Sequence, residues 1–424
     1  MFPDQQRTQT TAADDRLPRP LRLFLSLLSG LSLLCAVVEI VCKWVLHRRY
    51  PYTWPLMPLG NPFWDFSLYR ARFHFFHTPQ FFTFQGPGYF YPAPLATLHW
   101  LLYRLPSSTR SYLTLLVVAW VAAAIIFARL LLHRGVAKRN VALVTGIVAV
   151  CSYPFFFEFE QANLEWILFV IVGCGIVAVL RGRGYTAAAC FGVAGSMKFY
   201  PLVWVGLLLA QKKYKQAAFA VAACGTCTVL SLWILCPDLE TSWRGTQVGL
   251  AGFRRWYVLA YEQVGFDHSL MGALKAMTLI LLPEELGPQT LSLIVNLYML
   301  VAAFAGALLF LDVIRKLPIV NQVICLVVAM ILLPPVSYDY TLLHLYLPWA
   351  LLVLASLESR GHNVPGLTAA MACCALVFAP LSEFIVHGQS YGGQVKAVAL
   401  AALGFIALRK KWPSSFDADA AAHR

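Results

Sequence analysis

"RGRGYTAAACFGVAGSMKFYPLVWVGLLLAQKKYKQ", residues 181–216, is basic at both ends and carries one lysine, Lys198, in the middle of an apolar stretch. In a membrane protein, short basic segments stay on the cytoplasmic side. The chain between these two must therefore enter the membrane and return to the side it left. Its arms, 185–197 and 199–211, have about 13 residues each. As helix, each arm reaches about 20 Å at 1.5 Å per residue, against a hydrocarbon core of about 30 Å. The apex at Lys198 is thus expected below the far surface, facing protein or a wet cavity rather than lipid.

The rest of the chain agrees with a membrane setting. Of its 424 residues, 59% are hydrophobic and 12% charged, where a soluble chain carries about 25% charged residues. The apolar residues fall in runs of about 15 to 25, long enough to span a bilayer and without the polar faces of soluble helices. The expected class is an all-α polytopic membrane protein. The net charge of +13 sits in short clusters between apolar runs, which sets membrane orientation and gives no reason to invoke nucleic acid. The eleven cysteines are almost all inside apolar segments. Cys224 and Cys227, in "AACGTCTVL", read as small packing residues of a helix.

Charge then fixes a topology. The cytoplasmic segments are the tail with Arg16, Arg19 and Arg22, then "HRGVAKRN" at 133–140, "RGRG" at 181–184, "QKKYKQ" at 211–216, "RK" at 315–316, "ESRGHN" at 358–363 and "RKKW" at 409–412. Seven such segments need six hairpins, hence about twelve spans: 21–44, 111–132, 141–157, 163–180, 185–197, 199–211, 216–236, 290–313, 320–335, 341–357, 366–385 and 393–409. Residues 1–20 are expected to be a disordered cytoplasmic tail and 411–424 a second cytoplasmic tail. Two apolar stretches of about 15 residues, 91–105 and 268–282, are left over. They are short for spans and read as interfacial or re-entrant helices. They lie in two large outer loops, about 46–110 and 237–289, where the polar chemistry is concentrated. Within the first loop, Phe66, Tyr69, Phe73 and Phe76 recur at helical spacing, with Arg70, His74 and His77 on another face. Residues 63–77 therefore read as one amphipathic helix on the membrane, with Asp65 in its first turn.

The order of motifs resembles a known family. An outer-loop aspartate in "WDFSLY", then "YFYPAPL" at 89–95, then "QANLEW" at the start of a later span, is similar to membrane glycosyltransferases of the GT-C fold, and more narrowly to glycosyltransferase family 87. The likeness covers about residues 20 to 410 and implies a GT-C-like domain over 21–410. It implies a polyprenyl-phosphate sugar as donor, mannosyl in that family, and a lipid-linked or glycan acceptor. It implies Asp65 as catalytic base. Tyr91 with Pro92 and Pro94 matches a Tyr-Pro-Pro element, and Gln161 with Asn163 a Gly-Gln-x-Asn element in which Glu160 replaces glycine. Lys198 with Pro201 matches a Lys-x-x-Pro element. Ser269 stands in an Asn-Gln-Ser-like element, with Asp267 and His268 as departures. Asp339 and Tyr340 match a Trp-Asp-His-like element, with His344 one turn beyond. The implied setting is the plasma membrane, with both termini cytoplasmic and the active site on the outer face.

The chemistry requires residues of these types. Sugar transfer from a lipid phosphate needs a base for the attacking hydroxyl, and a carboxylate in apolar surroundings serves. The phosphate leaves as an anion and needs cations rather than an acid. Lys198 is the expected donor-phosphate contact, with Arg254 and Arg255 in "GLAGFRRWYVLAYEQ" of the second large loop as further candidates, since arginine suits bidentate phosphate contacts. Glu158 and Glu160 offer a second acidic group. No glycine-rich nucleotide loop is present and no cofactor is implied. His74, His77, His268 and His387 show no metal-ligand spacing, although some GT-C enzymes use a divalent ion. Two other classes compete with the enzyme. One is a transporter or flippase of lipid-linked sugars, disfavoured by the lack of a visible inverted repeat. The other is a non-catalytic membrane subunit.

Overall fold

The computed structural model describes residues 16–47, 63–84, 88–262, 264–282, 285–359, 364–381, 385–386 and 389–412. Most of the expected 1–20 tail, residues 413–424, residues 48–62 of the first large loop, most of the 358–363 segment and His387 lie outside them.

The described residues form a helical bundle with one two-residue antiparallel ladder, Ile385–Val386 against Gln389–Ser390. In chain order the helices are α1 Arg19–Ile40, α2 Trp64–Ser67, α3 Gln80–Thr83, α4 Ala93–Tyr103, α5 Ser108–His133 and α6 Lys138–Cys151. Then come α7 Tyr153–Gln161, α8 Glu165–Leu180, α9 Gly184–Met197, α10 Val205–Ala210, α11 Tyr214–Leu235 and α12 Leu239–Phe253. The last are α13 Leu270–Leu281, α14 Pro288–Asp312, α15 Ile319–Leu332, α16 Tyr346–Glu358, α17 Leu367–Phe378 and α18 Gly392–Arg409.

Among the described residues, six helices are long and apolar enough to cross a membrane, and a seventh span results if α6 and α7, bent by 44°, are taken as one. The chain is therefore a multi-pass helical membrane protein. Each of the twelve expected positions holds a helix, but α8, α15, α17 and the arms of the 181–216 hairpin fall short of a span. They fall short in length, none exceeding the 16 residues of α8. Every residue of α15 except Ala329 is buried. A helix that is apolar all round can be the core of a large protein as well as a membrane span, and the sequence pattern does not separate the two. By contrast, α14 exposes Leu293, Leu297, Leu300 and Phe304, as a lipid-facing helix does.

The hairpin at 181–216 has the expected form. α9 ends at Met197, and Lys198 is extended, with φ −142° and ψ 145°. A 3-10 turn, Tyr200–Trp204, then leads into α10. Glycine makes the close packing possible. A Cβ at 192 would sit 2.4 Å from the Ala220 carbonyl oxygen on α11, and one at 195 would sit 2.4 Å from the Leu202 side chain on the returning arm.

The basic segments gather at one end of the bundle. Arg134 pairs with Glu358, joining the 133–140 and 358–363 segments. Gly184 lies against Gln216 and Lys213, joining the ends of the hairpin. The Asn321 amide donates to the carbonyls of Ala407 at 2.7 Å and Lys410 at 2.5 Å, and its oxygen accepts from Trp412 N at 2.9 Å. That amide satisfies carbonyls that the end of α18 would otherwise leave open.

The two leftover stretches are the short helices α4 and α13. The first loop departs from expectation. Residues 63–77 are not one helix lying on the membrane: α2 ends at Ser67, turns follow, and a 3-10 turn spans Arg72–Phe75. The aromatic face is as read, with Phe66, Tyr69, Phe73 and Phe76 all buried, but protein covers it. Phe66 stacks on Tyr112 of α5 at 4.5 Å and Phe76 on Trp100 of α4 at 4.6 Å. Arg72 turns inward and donates to the carbonyls of Phe81 and Phe84. These tertiary contacts outweigh the helix continuity of so short a segment, which is marginal alone.

Candidate active site

Asp65 lies on α2, whose position is set from behind. The backbone N–H of Phe63 donates to the Glu160 carbonyl at 2.7 Å, tying the start of α2 to the end of α7. Two non-glycine residues in the left-handed region flank the site: Phe63, with φ 63°, just before Asp65, and Ala162, with φ 52°, just before Asn163. Such conformations cost about 1–3 kcal/mol and persist where the surroundings enforce them, commonly at functional sites.

Asn163 is the hub. Its Nδ2 donates to Asp65 Oδ2 at 2.7 Å and to Tyr91 Oη at 3.4 Å, while Lys198 Nζ donates to its Oδ1 at 3.2 Å. An ammonium can only donate, so Lys198 fixes which way the amide points and aims its NH₂ at Asp65. The Asn163 carbonyl accepts from the Tyr112 hydroxyl, which in turn accepts from Trp166 Nε1 at 2.7 Å. Carboxylate, amide and ammonium thus stand in line.

Lys198, nearly buried, is held from the far side by Glu165, which sequence reasoning passed over. Lys198 Nζ lies 2.6 Å from Glu165 Oε2. The other Glu165 oxygen meets His344 Nε2 at 2.8 Å and accepts from the Tyr200 hydroxyl. The rings of Tyr340 and Tyr91 lie 4.9 and 5.5 Å from the ammonium, within cation–π range. The signal for Glu165 was in "QANLEW": it opens a span, and an acidic residue inside an apolar helix calls for a partner.

Asp65 is half-buried. Burial raises its pKa above the ordinary aspartate value, against the lowering effects of the Asn163 hydrogen bond and the Lys198 charge. Burial also raises the hydroxyls of Tyr91, Tyr257 and Tyr338, and the Asp65 charge adds to all three. These tyrosines come from separate parts of the chain and all feel the charge of one carboxylate. On α4, burial and then the Lys198 charge lower His99 to about 3, so this ring is neutral, and its Nδ1 lies 2.8 Å from the Tyr89 hydroxyl.

Of the residues singled out from sequence, Asp65, Tyr91, Asn163, Lys198, Tyr340 and His344 come together here. Gln161 and Glu160 sit at the end of α7 beside it, partly buried. Glu158 is fully buried and accepts from Trp166 N at 3.3 Å. Ser269 and Asp339 belong to a second buried network. Ser269 caps α13, accepting from Gly272 N at 2.8 Å. Asp267 accepts from the N–H groups of Ser269 and Ser337, both at 2.9 Å. Asp339 pairs with Lys396 of α18 at 2.7 Å. The 3-10 turn Asp339–Leu345 spans both networks, carrying Asp339 into one and Tyr340 and His344 into the other. Arg254 and Arg255 join neither. Arg254 donates to Ser292 at 2.9 Å and Asn296 at 2.8 Å, and Arg255 is exposed. Tyr257, on the same π-helical turn, is the residue whose hydroxyl is influenced by the Asp65 charge. Among the described residues no three His, Cys, Asp or Glu side chains converge as metal ligands.

The described helices thus form a multi-pass bundle in which one amide bridges a carboxylate and an ammonium. The chain matches the model of glycosyltransferase family 87 over residues 89–335 and belongs to that family. It is accordingly a glycosyltransferase, acting on a sugar donor and an acceptor. The matched span includes Tyr91, Asn163, Glu165, Lys198 and Ser269; Asp65 precedes it, and Asp339, Tyr340 and His344 follow it. No curated protein and no solved structure matches the chain.

Proposed function

We propose that the chain moves a hexosyl group, mannosyl in our reading, from a polyprenyl-phosphate sugar to a hydroxyl acceptor, with Asp65 as base. The observation that carries this is the line Asp65–Asn163–Lys198, which puts a proton acceptor and a phosphate-sized cation on two sides of one amide. The acceptor oxygen attacks the anomeric carbon, and its proton passes to Asp65. The bond from that carbon to the phosphate oxygen breaks, and its electron pair leaves with the polyprenyl phosphate. Lys198 meets the departing anion, supported by Glu165. A raised Asp65 pKa makes a stronger base. Arg254 and Arg255 are further phosphate contacts in this reading, and Tyr91, Tyr340 and His344 line the substrate. Ser269 and Asp339 are further substrate-binding candidates in this reading.

In the same reading, the basic end of the bundle is cytoplasmic, both termini lie there, and the site faces the outer side of the plasma membrane. About twelve segments then enter the bilayer, several shielded from lipid by the others. The family assignment supports transfer and gives no support to a flippase. Incubation with radiolabelled polyprenyl-phosphate mannose tests the proposal. A transferase releases free polyprenyl phosphate as label enters the acceptor, whereas a flippase or an inert subunit releases none.

A further inference from the structure

A cavity of about 560 Å³ opens between the starts of α1 and α6, at the end of the bundle where the basic segments gather. Arg16, Arg22 and Arg139 line it, and no carboxylate pairs with Arg22 or Arg139 among the described residues. Its volume is within the range of roughly 300–1,000 Å³ typical of ligand sites.

The lining changes character along the helices. On α1, Arg22, Ser26 and Ser29 follow one another on a single face at spacings of four and three. On α6, Arg139, Leu143 and Ile147 do the same at spacings of four. The two helices run side by side in the same direction: further along, Ser32 of α1 donates to the Cys151 carbonyl at the end of α6, at 2.9 Å. The groove therefore begins with guanidinium groups and continues with the hydroxyls of α1 opposite the apolar side chains of α6, and Leu143 is exposed. A ligand that fits must carry a compact anion at one end and a hydrocarbon chain at the other.

We propose that this groove is a binding site for the phosphate headgroup of an anionic phospholipid, its acyl chain lying along Leu143 and Ile147. Arginine suits phosphate through its planar fork of donors. Basic pockets between membrane helices at the cytoplasmic side recognise such headgroups. The site is separate from the Asn163 network, which lies beyond the far end of α7. It would make the α1–α6 contact sensitive to the lipid composition of the membrane.

The test uses the full chain purified in a neutral detergent and native mass spectrometry. Phosphatidylglycerol, phosphatidylcholine of the same acyl chains and polyprenyl phosphate are titrated in turn. Phosphatidylglycerol should bind at least tenfold tighter than phosphatidylcholine. Arg22→Gln with Arg139→Gln should lose at least tenfold of that affinity, and Arg22→Lys with Arg139→Lys, which keeps the charge but not the fork, should lose less than the glutamine variant. Equal binding of the two phospholipids, or no loss in the glutamine variant, overturns the site. A greater loss of polyprenyl phosphate than of phosphatidylglycerol in that variant overturns the choice of ligand. Hydrogen exchange on the unmodified chain gives a second reading that needs no variant. Phosphatidylglycerol should protect residues 16–29 and 138–147, and protection confined to other segments would contradict the proposal.

Discussion

Asp65→Asn removes the proposed base and almost nothing else. The side chain keeps its shape, and its oxygen can still accept from Asn163 Nδ2, now 2.7 Å from the carboxylate. Exchanging a charged acceptor for a neutral one costs about 1 kcal/mol, and relief of a half-buried charge works the other way, so thermal stability should change little. General-base catalysis contributes about 10² to 10⁴ in rate, equivalent to roughly 3–5 kcal/mol of barrier at 1.36 kcal/mol per tenfold. Turnover of labelled donor at saturating donor and acceptor should therefore fall by at least about 10²-fold, with donor affinity kept. The pH profile provides a second reading. The ionised form is the active one, so wild-type rate should rise with pH through the Asp65 pKa. Because burial raises that pKa, the acid limb should lie above the ordinary aspartate value of about 3.9, and it should vanish in Asp65→Asn. A folded Asp65→Asn protein working within threefold of wild type would refute the reasoning and move the base to Glu160.

Lys198→Ala should weaken donor binding by about 2–4 kcal/mol, roughly 30- to 1,000-fold in Kd, the cost of one charge-assisted contact in a water-poor site; unchanged affinity would leave Lys198 a structural cation. A cysteine at exposed position 138 should be protected from an impermeant thiol reagent in intact cells and one at exposed position 255 should react, whereas a labelled 138 would overturn the proposed orientation. Lys396→Met strands the buried Asp339 carboxylate and should destabilise by about 3–5 kcal/mol in denaturant unfolding. Adding Asp339→Asn should restore at least half of that, and no recovery would mean that the pair is not the source of the loss.

Much of the site was legible in the sequence because charges in apolar segments are few and each needs a reason. Lys198 was located by counting residues between two basic clusters, and the hairpin that carries it has the form that count requires. The spacing of 66, 69, 73 and 76 marks an apolar face, and all four residues are buried. It does not say whether lipid or protein covers that face, and here α4 and α5 do. Length, not apolar character, sets α15 and α17 apart from the spans: they have 14 and 12 residues. The role of Glu165 depends on His344 and Tyr200, brought to it by distant segments, which no local pattern reports. The Asp339–Lys396 pair likewise joins residues 57 positions apart, a separation that no local pattern reports.

The central claim is that the chain breaks the bond between a sugar and a polyprenyl phosphate and passes the sugar on. The measurement that reaches it most directly is the stoichiometry of released polyprenyl phosphate to glycosylated acceptor, using the purified full chain in lipid vesicles with polyprenyl-phosphate mannose. The account predicts one lipid phosphate freed per sugar transferred by the wild type, and neither product above background from Asp65→Asn. Movement of intact donor across the vesicle membrane without release of lipid phosphate, or transfer undiminished in Asp65→Asn, would contradict it.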